Sequence, residues 1–121
     1  MNTPQPFQYQ GSKRILASKI LEYFPKNIDR LIEPFAGSGA ISLACASRGN
    51  CKKFWLNDLN KPLNQLLSLI VNDPREIIDS YTSVWRDKDS EHIEQFYKVR
   101  DEFNETQNPR LLLYLLARCV K

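Results

Sequence analysis

Hydrophobic and polar positions alternate in short blocks along the first half of the chain and at helical spacing along the second. Arg30-Leu31-Ile32 and Phe54-Trp55-Leu56 are brief apolar runs bounded by polar and turn residues, which predicts two short strands. Between them, Glu33-Pro34-Phe35-Ala36-Gly37-Ser38-Gly39 reads as a glycine turn leading into a helix over about 40–48, closed by Gly49 in the left-handed region. Upstream, residues 1–10 carry two prolines and little periodicity and read as an extended arm. Ser12 is placed to cap a first helix with an apolar face of Ile15, Leu16, Ile20, Tyr23 and Phe24, limited by Pro25.

Downstream of the second strand the pattern is helical throughout. Asn60 and Pro62 open a helix with Leu63, Leu66, Leu67, Ile70 and Val71 on one face. Asp73-Pro74-Arg75-Glu76 is a capping-box pattern, followed by the stripe Ile77, Ile78, Tyr81, Val84 and Trp85. The charged run Arg86-Asp87-Lys88-Asp89 reads as a solvated turn. Ser90 then starts a helix with Ile93, Phe96, Tyr97 and Phe103 inward. Asn108-Pro109 starts the last helix, whose Leu111–Leu116 run is apolar all round and must be buried on more than one side.

The glycine turn carries the candidate chemistry. A Gly-x-Gly turn between strand and helix lets backbone approach a ligand closely. An acid at the end of the following strand, here Asp58, can accept hydrogen bonds from both hydroxyls of a ribose. The dinucleotide fingerprint requires a third small residue, glycine or alanine, where this chain has Ser42. Glu33 at the mouth would repel a pyrophosphate and suits a ligand with a cationic amine. S-Adenosylmethionine, with a sulfonium, an ammonium and a ribose but no phosphate, is favoured over NAD. The Gly11-Ser12 turn with Lys13 offers N–H groups and an ammonium to an anion, such as a methionyl carboxylate or a DNA phosphate.

Composition narrows the class. The 121 residues suffice for one small domain, 42% hydrophobic and 26% charged content is that of a globular chain, and a net charge of +3 is compatible with a polyanionic partner. Three cysteines, Cys45, Cys51 and Cys119, have no metal-ligand spacing. An odd number without a signal peptide points to a reducing cytoplasm, and Cys45 reads as a small core residue. No run is long enough to span a membrane. His92 is the sole histidine and reads as a surface helix residue; no metal cluster and no Ser/His/Asp set is visible. The aromatics Trp85, Phe96, Tyr97 and Phe103 read as core at their helical spacing, not as base-stacking platforms.

Taken together, these segments resemble the Dam-type adenine-specific DNA methyltransferases, the alpha group of amino-methyltransferases. The matching stretches are Tyr9-Gln10-Gly11-Ser12-Lys13, Glu33–Gly39, Leu56-Asn57-Asp58-Leu59-Asn60, and Phe96-Tyr97 with Arg100-Asp101-Glu102-Phe103-Asn104, followed by Asn108-Pro109 and the leucine-rich helix. The resemblance implies a helix-rich α/β fold, a partial Rossmann-like S-adenosylmethionine-dependent methyltransferase fold with an incomplete sheet. It implies that Tyr9 and Lys13 contact S-adenosylmethionine, that Glu33, Pro34, Phe35, Gly37 and Gly39 wrap its methionine end, and that Asp58 takes the ribose. The activity implied is methyl transfer to the exocyclic amine of adenine in double-stranded DNA, for restriction-modification.

One departure from the family pattern qualifies this. Members continue into a target-recognition region and an Asp-Pro-Pro-Tyr segment that engages the flipped adenine. The sequence contains no Asp-Pro-Pro-Tyr; its one Asp-Pro, Asp73-Pro74, is followed by Arg75. Residues 1–121 are therefore expected to be the N-terminal, cofactor-binding part of a catalytic domain, inactive alone and without a catalytic residue. The chain is expected to self-associate or pair with a C-terminal part or complementary subunit, through the leucine run and the open edge of the first strand. The alternatives are a methyltransferase acting on RNA or a small molecule, which the early Gly-Ser-Lys element argues against, and a non-catalytic cofactor- or nucleic-acid-binding module, which the missing segment argues for.

Overall fold

The computed structural model describes residues 2–86 and 92–119, and its elements follow the order α1 (Ala17–Leu21), β1 (Leu31–Glu33), α2 (Ala40–Arg48), β2 (Phe54–Leu56), α3 (Lys61–Asn72), α4 (Pro74–Arg86), α5 (His92–Thr106) and α6 (Pro109–Cys119). They group into two units, Met1–Asn60 and Lys61–Lys121. The expected turn at 87–89 and the helix start at Ser90 lie outside the described residues.

The first unit is built on a parallel pair of strands, β1 and β2, in which Leu31 faces Phe54, Ile32 faces Trp55 and Glu33 faces Leu56. The Leu31 N–H donates to the Lys53 carbonyl at 2.9 Å and the Asn57 N–H to the Glu33 carbonyl at 2.9 Å. Side chains alternate between faces with the strand period of two. Leu31 and Phe54 therefore turn to one side, onto a core of Ala17, Leu21, Ala44, Cys45 and Cys51. Ile32 and Trp55 turn to the other and stay 56% and 62% exposed. Ala40, Ala44 and Cys45 are all buried, and their small side chains let α2 lie close against the sheet. Gly49 ends α2 with φ 73°, as the sequence predicts.

The first helix differs from expectation. It is only five residues long, and no side chain caps it. Ile15, Leu16 and Tyr23, predicted on its buried face, are exposed; Ala17 and Leu21 are buried instead, with Phe24 packed beside them. The Ser12 hydroxyl bonds the Ser38 hydroxyl at 3.0 Å and accepts the Arg14 N–H at 3.4 Å, within successive turns over residues 9–17. Helical winding starts late, and the stripe moves to positions 17, 21 and 24. The N-terminal arm has no regular structure but is anchored. Phe7 is buried, and Arg14 Nε donates to the Thr3 carbonyl at 2.8 Å.

In the second unit α6 packs against α3, α4 and α5. Leu111, Leu112, Tyr114 and Leu115 are buried, and Leu113 and Leu116 are half-buried. The leucine run is thus satisfied within the unit, which corrects the expectation that it forms an association surface. Around Tyr114 gather Val99, Leu111 and Leu115, with Tyr81, Val84, Phe96 and Phe103 packed against them. Trp85 meets Tyr114 edge to face at 5.0 Å, yet keeps an exposed rim beneath the Arg118 guanidinium. Val71, Ile78, Ile93 and Tyr97, predicted inward, are exposed. On α5 Phe96 and Phe103 pack against this core as predicted, while the buried positions are Gln95 and Val99, so the inward face is rotated away from Ile93 and Tyr97. Gln95 is buried because its amide donates to the Val84 carbonyl, one of the four left without an intrahelical partner at the end of α4.

Caps are local and legible in this unit. The Glu76 N–H donates to Asp73 Oδ1 at 3.3 Å, half of the predicted capping box. The Glu76 side chain pairs with Arg110 on α6 and does not return to Asp73. Gln107 takes φ 55° after α5, and its N–H donates to the Phe103 carbonyl at 2.7 Å. Asn108 then caps α6 through the Arg110 N–H at 3.1 Å.

Candidate cofactor site

At the C-terminal ends of β1 and β2 the chain makes two loops, 34–39 and 57–60, and they are tied together by hydrogen bonds. The Ala36 N–H donates to the Asn57 carbonyl at 2.8 Å, and Asn57 Nδ2 to the Pro34 carbonyl at 3.2 Å. Gly37 and Gly39 adopt φ of 51° and 67°, a region that costs other L-residues about 1–2 kcal/mol. The turn closes with a 2.7 Å bond from the Gly39 N–H to the Ala36 carbonyl.

Two carboxylates hold this arrangement. Asp58 Oδ2 accepts the Gly37 N–H and Oδ1 accepts the Asn60 N–H, both at 2.9 Å. Glu33 Oε2 accepts the Ser42 N–H at 3.1 Å and the Ser42 hydroxyl at 2.6 Å. Its negative charge thus sits at the N-terminus of α2, where unpaired N–H groups and the helix dipole favour an anion.

The N-terminal segment forms the opposite wall. A Cβ placed on Gly37 would stand 2.9 Å from Tyr9 Cε1, so the Tyr9 ring lies directly against the glycine. Phe7 braces that ring edge to face at 6.4 Å. The Ser12 and Ser38 hydroxyls hydrogen-bond at 3.0 Å and tie the Gly-Ser turn to the glycine turn. Lys13 Nζ donates back to the Gly11 carbonyl at 2.7 Å and is exposed.

Together these walls enclose a cavity of about 360 Å³. Of the residues expected there, Tyr9, Lys13, Glu33, Phe35, Gly37 and Asp58 line it. Pro34 and Gly39 do not; they take part in the turn through the Pro34 carbonyl and the Gly39 N–H. Phe35 is 90% exposed, an aromatic face with almost no cover from this chain. Gly11, Ser12, Ala36, Ser38 and Ala40 complete the lining. The local pattern marks Ser12 only as a helix cap and gives Ser38 no role; their partnership spans 26 positions and leaves no local signal. Ser42 did leave one, as the departure from the small third residue of the dinucleotide fingerprint.

The cavity offers carboxylate oxygens, one ammonium, backbone N–H groups and two aromatic rings. Among the described residues no group of three or more His, Cys, Asp or Glu could hold a metal ion. Nor is any described helix long and apolar enough to cross a membrane.

The sequence matches the family model of the D12 class N6 adenine-specific DNA methyltransferases over residues 9–121. It is 35% identical over 115 residues to the type II methyltransferase M.MjaIII of Methanocaldococcus jannaschii, covering 86% of this chain and 39% of that protein. It is 28% identical over 114 residues to a DNA adenine methylase of Haemophilus influenzae, covering 92% of this chain and 38% of the relative. The modification methylase StsI of Streptococcus sanguinis matches at 28% over 120 residues, 93% of this chain and 17% of its own length. The chain thus spans about two fifths or less of the length of these relatives.

Proposed function

This chain belongs to the D12 class N6 adenine-specific DNA methyltransferases, and from that membership we propose that it is the cofactor-binding portion of an enzyme that methylates adenine in DNA. The observation that carries this reading is the pairing of Glu33 and Asp58 across one cavity lined by Tyr9 and the glycine turn.

The lining fits S-adenosylmethionine. A cavity of about 360 Å³ lies within the range of small-molecule pockets, roughly 300–1,000 Å³. Each carboxylate oxygen has lone pairs for more than one donor, so Asp58 can take ribose hydroxyls while holding the Gly37 and Asn60 N–H groups. Glu33 Oε2 is engaged by Ser42, whereas its Oε1 accepts no hydrogen bond among the described residues and is available to a cationic amine. The bare Cα of Gly37 keeps a close approach open beside the Tyr9 ring. Lys13 can leave the Gly11 carbonyl for the ligand's carboxylate.

When bound, S-adenosylmethionine supplies a methyl carbon already activated by its sulfonium. The residues of this chain bind and orient; their contribution is alignment, which removes the entropy of bringing reactants together. The step joins that carbon to the adenine N6, breaks the carbon–sulfur bond, and needs an acceptor for the amine proton. No lining residue is assigned that role, and these 121 residues contain no Asp-Pro-Pro-Tyr segment to engage the amine. The substrate is double-stranded DNA with the target base flipped out. The names of the relatives, a type II methyltransferase and a modification methylase, favour restriction-modification. A DNA substrate and free Cys45, Cys51 and Cys119 favour the cytoplasm.

Calorimetric titration tests the reading. The chain should bind S-adenosylmethionine and not NAD, and should transfer no radiolabelled methyl group to duplex DNA by itself. Binding of NAD in place of S-adenosylmethionine would refute the cofactor assignment. Turnover by the pure chain would refute the reading that it supplies cofactor alignment only.

A further inference from the structure

We propose that Ser42 is a positioning residue that sets the cofactor selectivity of the site by holding Glu33 as a built-in anion at the N-terminus of α2. The inference rests on the S-adenosylmethionine reading and adds to it the residue through which the selectivity acts.

In the dinucleotide-binding version of this turn, the helix N-terminus receives the ligand's pyrophosphate on its unpaired N–H groups. Here the N–H of the third residue of α2 is already taken, by Glu33 of the same chain at 3.1 Å. The Ser42 hydroxyl adds a second bond to the same oxygen at 2.6 Å. Ser42 is 4% exposed, so this hydroxyl is shielded from bulk water. A buried hydroxyl donating to an ionised carboxylate makes a charge-assisted bond, stronger than a neutral one.

Two consequences follow from one geometry. The helix terminus faces the cavity already neutralised, and a phosphate arriving there meets a carboxylate. And because Ser42 fixes Oε2, the other oxygen is held in one orientation as an acceptor for a cationic amine. Alanine at position 42, as in the dinucleotide fingerprint, would keep the N–H bond and lose the hydroxyl bond. The carboxylate would then swing, and the amine would lose a preorganised partner.

The test compares the unsubstituted chain with Ser42→Ala and Ser42→Thr by calorimetry against three ligands. S-Adenosylmethionine and S-adenosylhomocysteine both carry the ammonium; 5′-methylthioadenosine carries the adenine and ribose without it. Ser42→Ala should bind the first two about tenfold more weakly, the scale of one bond to a charged group. It should bind 5′-methylthioadenosine as the unsubstituted chain does, and Ser42→Thr should restore the loss. Equal affinity of Ser42→Ala for S-adenosylmethionine overturns the inference and leaves the cofactor reading standing. Parallel weakening of all three ligands, or no rescue by threonine, overturns it too, because Ser42 would then act only through the fold. Failure of the unsubstituted chain to bind S-adenosylmethionine overturns both.

Discussion

The Asp58 carboxylate accepts the N–H of Gly37 at 2.9 Å, joining the acid after the second strand to the glycine turn after the first. The glycine turn and the acid, 21 positions apart in sequence, are therefore joined by a direct hydrogen bond in space. Asp58 shapes the turn as well as facing the cavity. Asp58→Ala should weaken S-adenosylmethionine binding by about 1.5–3 kcal/mol, the range for hydrogen bonds to a charged group. Asp58→Asn should fall between, since one oxygen acceptor remains. Unchanged affinity in calorimetry would place the ribose elsewhere.

Gly37 is constrained twice, by φ 51° and by the Tyr9 ring. Gly37→Ala should cost about 1–2 kcal/mol of stability from the left-handed backbone alone. It should also push the ring aside and weaken ligand binding. Adding Tyr9→Ala should recover the part of the stability loss that comes from the clash and none of the part that comes from φ. Additive losses in thermal melts of the two single variants and the double would show that the ring does not rest on the glycine.

How far the sequence could be read depends on whether its signals are local. α2 and its Gly49 stop, both strands, the glycine turn and the Asn108 start of α6 each follow from neighbouring residues, and each stands where the pattern places it. The first helix does not: Ser12 accepts the Arg14 N–H locally but also bonds Ser38, 26 positions along the chain, and the segment winds as turns up to Ala17. Half of the α5 stripe, Phe96 and Phe103, packs inward as the pattern places it, and Ile93 and Tyr97 do not, for a related reason. Gln95 is polar and would be placed outward by any hydropathy pattern, yet the open Val84 carbonyl draws it in. At the site, residue types were legible from motif spacing. The partners that hold them, Ser42 under Glu33 and Asn60 beside Asp58, appear only in the fold.

Cys45 is buried, and removal from water pushes its thiol above the ordinary value of 9.0, with the neighbouring Cys51 adding to the rise and Arg48 opposing it. The thiolate is the reactive form, so Cys45 should resist alkylation in the folded chain while exposed Cys119 reacts. The linkage has a definite sign. Above about pH 9 the unfolded thiol ionises while the folded one keeps its proton, so this contribution to stability is present below that pH and is lost as pH rises through the raised value. Mass spectrometry after iodoacetamide treatment at about pH 8 checks the order; labelling of Cys45 as fast as Cys119 would show an open core.

The last prediction separates stability from association. Leu115 on α6 is 7% exposed beside Tyr114, which is 1% exposed. Leu115→Ala should destabilise the second unit by about 2–5 kcal/mol, the usual cost of emptying a leucine site in a core. On the sheet, Ile32 and Trp55 are partners in register and both are more than half exposed, an apolar pair open to solvent. Among the described residues each of the two strands is paired on one side only, which leaves backbone donors and acceptors beside that apolar face. Trp55 carries the Arg30 guanidinium at 5.9 Å, a contact too exposed to contribute much to stability. Trp55→Ser should therefore leave the melting temperature nearly unchanged and reduce self-association in sedimentation at micromolar concentration. The opposite pattern, with Leu115→Ala changing the sedimentation and Trp55→Ser the melting, would mean that the leucine helix is the association surface after all and that the sheet face is covered.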